Sequence, residues 1–272
     1  MKLGLKIDVR TRRGTREGVP QLMDLLIKHH ARATFFFTLG PDHALGQTWL
    51  PGGDIGWRCR NELRGVRNAG FEVGIHAFDR VRWERGVRSA DQKWTRREMR
   101  RACECFMRIF DEPAHAHGAA GWQMNRHAYR LTQRLGFRYG SDTRGTCPFL
   151  PVYNAEIMAC PQLPTTLPPL DELMGRDGIT RDNVAERVLR LSETPPPAGH
   201  VYTLRAEWEG MKFLSVFDAL LAGWRAQGYT PTALGDYMNG IDLAHLPRHS
   251  VIDGDMPDRA RPVALQGGEF LA

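Results

Sequence analysis

Side chains that can bind metals or transfer protons follow several short apolar runs of this sequence. Asp8 and Arg10 close the first run, and His76, Asp79 and Arg80 follow a later one. Carboxylates and imidazoles of this kind can hold a divalent metal, and one of them can act as a general base toward water. Further polar side chains follow later runs in the same way, namely His117, Asp142, Arg144, Arg205 and Glu207. The pattern predicts one polar site assembled from the ends of several strands.

The elements that must position these side chains alternate along the chain. Lys2–Val9 predicts a strand, Arg16–His30 predicts an amphipathic helix, and His200–Arg205 predicts a late strand. Strands that alternate with helices indicate an α/β domain with a parallel sheet, here a single distorted (β/α)7-type barrel. An open doubly wound sheet is the alternative, although no glycine fingerprint for a nucleotide follows the first strand. Working residues of a barrel lie at the carboxyl ends of its strands, where the polar side chains fall.

Two helix starts can be read from capping residues. Thr95 and Glu98 predict a capping box before a helix over Met99–Phe110. Asn125 predicts the start of the next helix, because its side-chain oxygen can accept from a free backbone N–H of the first turn.

Composition limits the location and the domain count of the chain. The chain has 272 residues, enough for one large domain. We predict a barrel domain over 1–240 and a polar extension over 241–272 that wraps the surface or is partly disordered. The sequence contains no run of about 18 apolar residues, so no transmembrane helix is predicted. The first residues do not have a signal-peptide pattern. The five cysteines are odd in number and form no CxxC pair, which favours a reducing compartment. We therefore expect a cytoplasmic protein, peripheral at the inner face of the membrane.

The net charge of +6 limits the kinds of ligand and surface that the protein is expected to bind. Such a balance is typical of a solvated basic surface, and it is also compatible with a phosphorylated ligand or an anionic membrane. Arg96, Arg97, Arg100 and Arg101 form a basic helix face that could make weak contact with anionic lipid. No nucleic-acid motif is present, so nucleic-acid binding is not expected.

Several ordered motifs resemble those of the polysaccharide deacetylase (NodB-type) family. The similarity is closest to its lipid A-modifying branch, the 4-deoxy-4-formamido-L-arabinose-phosphoundecaprenol deformylases, and it runs from about Leu3 to Gly228. It rests on these segments: Ile7-Asp-Val9 with Arg13-Gly-Thr15, Gly74-Ile-His-Ala-Phe-Asp79, Ala119-Ala-Gly-Trp122, Ser141-Asp142 with Arg144-Gly145, Pro164-Thr-Thr-Leu-Pro168, and Tyr202-Thr-Leu204 with Ala206-Glu207. The resemblance implies a metal-dependent hydrolase that removes an acyl group from a sugar nitrogen by cleaving a non-peptide carbon–nitrogen bond.

The resemblance also implies a role for each matching position. The family base falls on Asp8, and the first metal-binding histidine falls on His76. Arg10 stands at the metal-binding aspartate, Arg80 at the second metal-binding histidine, and Arg205 at the histidine that protonates the leaving amine. The substrate or anion pocket would be lined by Asp79, Trp122, Asp142, Arg144 and Glu207.

Arginine at three of these positions changes the expected chemistry. A guanidinium group has no acceptor lone pair and stays protonated, so it neither binds zinc or a similar divalent metal nor acts as an acid near neutrality. It also repels a nearby dication. We expect no tightly bound metal, an Asp8 whose pKa is lowered by the arginines, and a catalytically impaired member of the family, in effect a pseudoenzyme.

Two other interpretations remain open. An active hydrolase could use a rearranged metal site that recruits His43, Asp79, His117 or Glu207. Alternatively, Arg10, Arg80 and Arg205, extended by Arg144, could form an anion pocket that binds a lipid-linked or phosphorylated amino sugar without turnover. The arginines could equally pair with Asp8, Asp79, Asp142 and Glu207 and fill a closed pocket.

Overall fold

A seven-stranded parallel sheet lies at the centre of the computed structural model, which describes residues 1–43, 52–257 and 259–271. Its strands run in the order β5-β4-β3-β2-β1-β8, and β9 pairs with the start of β1. The eleven strands of the described chain are β1 Lys2–Val9, β2 Thr34–Thr38, β3 Glu72–Ala77, β4 Ala116–His117, β5 Tyr139–Gly140, β6 Leu150–Tyr153, β7 Glu156–Ile157, β8 His200–Arg205, β9 Thr230–Thr232, β10 Arg248–Gly254 and β11 Val263–Glu269. The curled sheet with surrounding helices confirms the distorted barrel predicted from the sequence.

Helices cover the outside of the sheet. In chain order they are α1 Val19–Lys28, α2 Ile55–Arg58, α3 Arg60–Asn68, α4 Arg80–Gly86, α5 Gln92–Phe110, α6 Arg126–Arg134, α7 Leu170–Leu173, α8 Val184–Leu191, α9 Leu214–Ala226 and α10 Leu234–Met238. A π-helical turn at Gly14–Gly18 precedes α1, and a 3₁₀ turn at Ala120–Trp122 follows β4. No helix in the described ranges combines the length and the hydropathy needed to span a bilayer.

Strand β1 is the central strand and carries the predicted base. All its residues from Leu3 to Val9 are buried, as expected for a parallel strand that is covered on both faces. It pairs with β2 on one side and β8 on the other, and the register puts Asp8 beside Arg205. Asp8, at the position of the family base, and Arg205, at the position of the family acid, are therefore neighbours on adjacent strands.

The sheet closes through an irregular segment between β5 and β8. Leu163 donates its backbone N–H to Gly140 at 2.8 Å, and Thr166 donates to Val201 at 3.0 Å. The segment thus supplies backbone hydrogen bonds to both edge strands and brings α7 close to the carboxyl end of β8.

One of the two capping predictions is confirmed and one is wrong. Asn125 caps α6, because its Oδ1 accepts from the Ala128 N–H at 2.8 Å. The helix over Met99–Phe110 begins earlier, at Gln92, where Asp91 accepts from the Trp94 N–H at 2.7 Å. Asp91 caps the helix because its carboxylate accepts from a free backbone N–H of the first turn. Thr95 and Glu98 instead lie within the helix, where both are buried.

The last thirty residues include an antiparallel pair of strands. β10 pairs with β11 and also with β6, which makes a second, four-stranded sheet in the order β11-β10-β6-β7. The connection between β10 and β11 reaches α4 and the 3₁₀ turn: Pro262 accepts from Gln123 Nε2 at 2.7 Å, and Arg261 donates to the Arg85 carbonyl at 2.7 Å. The domain boundary at residue 240 stays a prediction.

Candidate functional site

Asp8 and His76 meet at the carboxyl ends of β1 and β3. Asp8 Oδ1 lies 3.6 Å from His76 Nδ1 and 3.7 Å from the ammonium nitrogen of Lys6. His76 Nδ1 is also 2.8 Å from the Gly118 carbonyl oxygen. Because a carbonyl only accepts, Nδ1 carries the proton, and the lone pair of the ring is on Nε2. That Nε2 is buried and has no hydrogen-bond partner in the described part of the chain.

Burial sets the protonation behaviour of this pair. Desolvation, followed by the charges of Lys6 and Arg10, holds the pKa of His76 well below its usual value, so the imidazole is neutral at pH 7. Desolvation also raises the pKa of Asp8, against the opposing effect of Lys6, Arg10, Arg205 and other cations. The expectation that the pKa of Asp8 lies below its usual value was wrong, because the cost of burying the carboxylate exceeds the attraction of the cations.

Arg10 and Arg80 are joined by one carboxylate that the sequence analysis missed. Glu84 Oε1 lies 2.5 Å from Arg10 Nη2, and Glu84 Oε2 lies 3.0 Å from Arg80 Nη1. Asp79 caps α4 by accepting from the Arg82 N–H at 3.0 Å, which starts the helix at Arg80 and places Glu84 one turn later. The two guanidinium groups lower the pKa of Glu84 to about 2 despite its burial. The i, i+4 spacing of Arg80 and Glu84 was the available sequence signal.

Arg205 pairs with Asp171 at the start of α7. Arg259, from the β10–β11 connection, lies 3.1 Å from the same carboxylate and 2.9 Å from Glu172. Glu172 in turn lies 3.2 Å from Arg144. Three carboxylates, Glu84, Asp171 and Glu172, are thus shared by five arginines. No pattern in the sequence pointed to Arg259, because its partners lie far away along the chain.

The remaining predicted pocket residues are held in local contacts. Asp79 Oδ2 lies 3.1 Å from His43 Nε2, while Asp142 Oδ1 lies 2.7 Å from His117 Nδ1 and accepts from the Ala119 N–H. Glu207 Oε1 accepts from the Arg10 N–H and from both the N–H and the hydroxyl of Thr11, which fixes the loop after β1.

Trp122 is buried under cations. Its side chain is 4% exposed, and Lys6, Arg144 and Arg259 lie 5.3, 5.3 and 4.8 Å from its ring. Cation–π contacts of this kind stabilise buried positive charges. The ring is thus buried within the protein, and its role toward a sugar stays a prediction.

The donor set does not fit the divalent metal that the family resemblance implies. Asp8 and His76 offer donor atoms, but the neighbouring positions carry Arg10 and Arg80, and Lys6 lies 3.7 Å from Asp8. Three cations would surround any dication bound there, and each would repel it. Among the described residues, no group of three His, Cys, Asp or Glu side chains is arranged to hold a metal ion.

Polar residues at the strand ends of a curled parallel sheet agree with the barrel that the sequence resemblance implied, and comparison with known proteins identifies the family. The profile of the family described as polysaccharide deacetylase matches residues 8–140. A protein of Shewanella sediminis that carries the name 4-deoxy-4-formamido-L-arabinose-phosphoundecaprenol deformylase is 31% identical in an alignment 250 residues long that covers 81% of this chain and 80% of that protein. The chain therefore belongs to the polysaccharide deacetylase family.

Solved structures show the same fold at low sequence identity. A candidate polysaccharide deacetylase from Mycobacterium smegmatis superposes with a TM-score of 0.70 at 16% identity, over 94% of both chains. A CE4-family pseudoenzyme from Bacillus anthracis has a TM-score of 0.59 at 13% identity, over 92% of this chain and 69% of its own.

Proposed function

We propose that this chain is a non-hydrolytic member of the formamido-arabinose deformylase branch, which binds a lipid-linked or phosphorylated amino sugar and leaves its N-acyl bond intact. The observation that carries the proposal is the Arg10–Glu84–Arg80 bridge at the carboxyl ends of β1 and β3. It fills with an ion pair the position where relatives of this class would need metal ligands.

The protonation states support the same conclusion. Hydrolysis of an amide needs an acid that protonates the leaving amine as well as a base for water. Burial raises the pKa of Asp8, which suits a base, but Arg205 stands at the position of the acid, is bound to Asp171 and cannot donate a proton near neutrality. Arg205 is therefore not suited to protonate a leaving amine.

Membrane contact has weaker support on the predicted helix face. Arg97 and Arg101 lie 3.4 and 3.6 Å from Glu98, and Arg100 lies 3.5 Å from Glu104. Part of the positive charge of α5 is therefore neutralised within the helix. A peripheral cytoplasmic location at the membrane stays part of this proposal because the lipid-linked sugar would be presented there.

The first experiment measures metal and turnover in the full-length protein. After loading with zinc, manganese or cobalt and desalting, we expect near-zero metal per chain and no release of formate or acetate from N-formyl or N-acetyl amino sugars. One tightly bound metal equivalent together with acyl release would refute the proposal.

A restoring variant makes this result specific. The double substitution Arg10→Asp with Arg80→His puts ligand residues beside His76, and we expect it to bind about one metal ion per chain. Arg13→Asp with Arg82→His is a matched control, because it makes the same changes on side chains that are 69% and 44% exposed nearby. Equal metal content in both variants would mean that the site is not where the bridge lies.

A further inference from the structure

A basic cleft opens beside the Glu84 bridge, on the side of the β10–β11 connection. It has a volume of about 370 Å³, and it lies between α4, the 3₁₀ turn and residues 259–263. Its lining includes four guanidinium groups and one carboxylate, contributed by Arg10, Arg85, Arg259, Arg261 and Glu84. The volume falls within the range of small-molecule sites, and the charge of the lining favours an anion.

Within the described residues, the lining of this cleft carries more positive than negative charge. The buried arginines behind it are shared among Glu84 and the two acids of α7, and Asp8 and Glu207 also attract Arg10. In the lining itself, however, Glu84 is the one carboxylate beside four guanidinium groups, and it is already shared between Arg10 and Arg80. An additional anion would offset this excess of positive charge.

Hydrogen-bond donors are also left without acceptors. Arg10 Nε is buried and has no hydrogen-bond partner in the described ranges. Arg261 is exposed and lines the cleft, and its hydrogen bond from Nη1 to the Arg85 carbonyl uses only one of the N–H groups of its guanidinium fork. A buried charged donor without an acceptor is costly, and a bound anion would satisfy it.

Gly121, which has no side chain, also lines the cleft. Gly121 adopts φ +63° in the 3₁₀ turn, and a Cβ at this position would lie 3.3 Å from Glu84 Cγ. Glycine therefore suits both the left-handed conformation and the close approach of Glu84.

We propose that this cleft binds the phosphate group of a sugar phosphate or of a lipid-linked sugar, with Arg10 and Arg261 as its donors. A phosphate has several acceptor oxygens and matches the planar fork of arginine, so converging guanidinium groups recognise it well. Two of the arginines in the lining come from the carboxyl-terminal hairpin connection, and the site exists only where that connection packs on α4. The inference deepens the proposed function, on which it rests for the nature of the sugar.

Calorimetric titration of the full chain with N-acetylglucosamine 1-phosphate, unphosphorylated N-acetylglucosamine and inorganic phosphate tests the site. We expect binding of both phosphates and none of the neutral sugar. Arg261→Gln should weaken phosphate binding about 5- to 20-fold, as removal of a charged hydrogen bond does. Arg187→Gln, which removes the same charge from the exposed face of α8, should leave binding unchanged. Equal binding of all three probes, or equal losses in both variants, would overturn the proposal.

Vesicles containing a polyprenyl phosphate separate the two sources of the phosphate. Arg261-dependent binding that is tighter on these vesicles than to the soluble phosphates assigns the site to a lipid-linked ligand, and the reverse order assigns it to a soluble one. The absence of Arg261-dependent binding in both arms would refute the site. Acyl release by the wild-type protein, measured separately, would refute only the non-hydrolytic role.

Discussion

Replacing Glu84 by glutamine removes the carboxylate that joins Arg10 and Arg80. Their side chains are 19% and 13% exposed, so two partly buried guanidinium groups would face each other without an anion. The fall of the Glu84 pKa from 4.5 to about 2 corresponds to about 3 kcal/mol of stabilisation. Breaking a buried ion pair from one side typically costs about 3–5 kcal/mol, which agrees with this value.

The expected result is a loss of about 3 kcal/mol in the free energy of unfolding of Glu84→Gln, measured by urea denaturation at pH 7. For a chain of this size such a loss lowers Tm by about 6–12 °C. Glu186→Gln is the matched control, because Glu186 also pairs with an arginine at i, i+4 on a helix, but the two side chains are 73% and 62% exposed. Its loss should stay below about 1 kcal/mol.

Acid titration distinguishes the ion pair from simple packing. The folded-state pKa of Glu84 lies below its unfolded value, so its contribution is complete above pH 4.5 and is lost as the pH falls toward about 2. The stabilities of wild type and Glu84→Gln should therefore converge in that window. A loss at pH 7 no larger than that of the surface control, or a difference that does not change with pH, would refute the reasoning.

Three further perturbations follow from buried polar groups. Burial raises the pKa of Glu209 to about 8, so between pH 4.5 and 8 the folded protein keeps a proton that the unfolded chain has released, and the stability from this group is complete below pH 4.5 and falls until the pH passes 8. Glu209→Gln should therefore be near neutral at pH 4.5 and more stable than wild type at pH 9, by urea denaturation. Asn125→Ala should cost about 2–4 kcal/mol, because Asn125 caps α6 and donates to Val87, Ala90 and Thr95. Asn125→Asp keeps the cap acceptor but sets a carboxylate oxygen against the Val87 and Ala90 carbonyls, so it should lose at least as much; a loss below about 1 kcal/mol in Asn125→Asp would contradict this assignment. Lys6→Met should destabilise the protein more when Asp8 is present than in an Asp8→Asn background, with a coupling of about 1–3 kcal/mol in a double-mutant cycle, since the two groups lie 3.7 Å apart.

The sequence predicted the parts of the fold that depend on local pattern. β1 and β8 occupy the predicted ranges, since continuous apolar runs bounded by polar residues define buried strands. Asn125 was recognisable as a cap because capping depends on residues within one turn. The family was recognisable because its motifs occur in order along the chain.

The presence of arginine at three positions of the site was also visible in the sequence. Since a guanidinium group cannot ligate a metal in any environment, that conclusion depends on residue type alone. The identity of the carboxylates that pair with those arginines did not follow, apart from the helical spacing of Arg80 and Glu84. Asp171 pairs with Arg205, and Glu172 with Arg259, through contacts between distant segments.

Only the tertiary structure decided the direction of the Asp8 pKa shift and the place of the arginine-lined cleft. Both depend on burial and on distances between elements that are far apart in sequence, and desolvation of a buried carboxylate can outweigh several nearby cations. The sequence by itself determined the barrel, the polar strand ends and the replacement of metal ligands by guanidinium groups. The packing of α4, α7 and the β10–β11 connection determined how those charges are neutralised, because electrostatic energies depend on where each charge lies and on how much water reaches it.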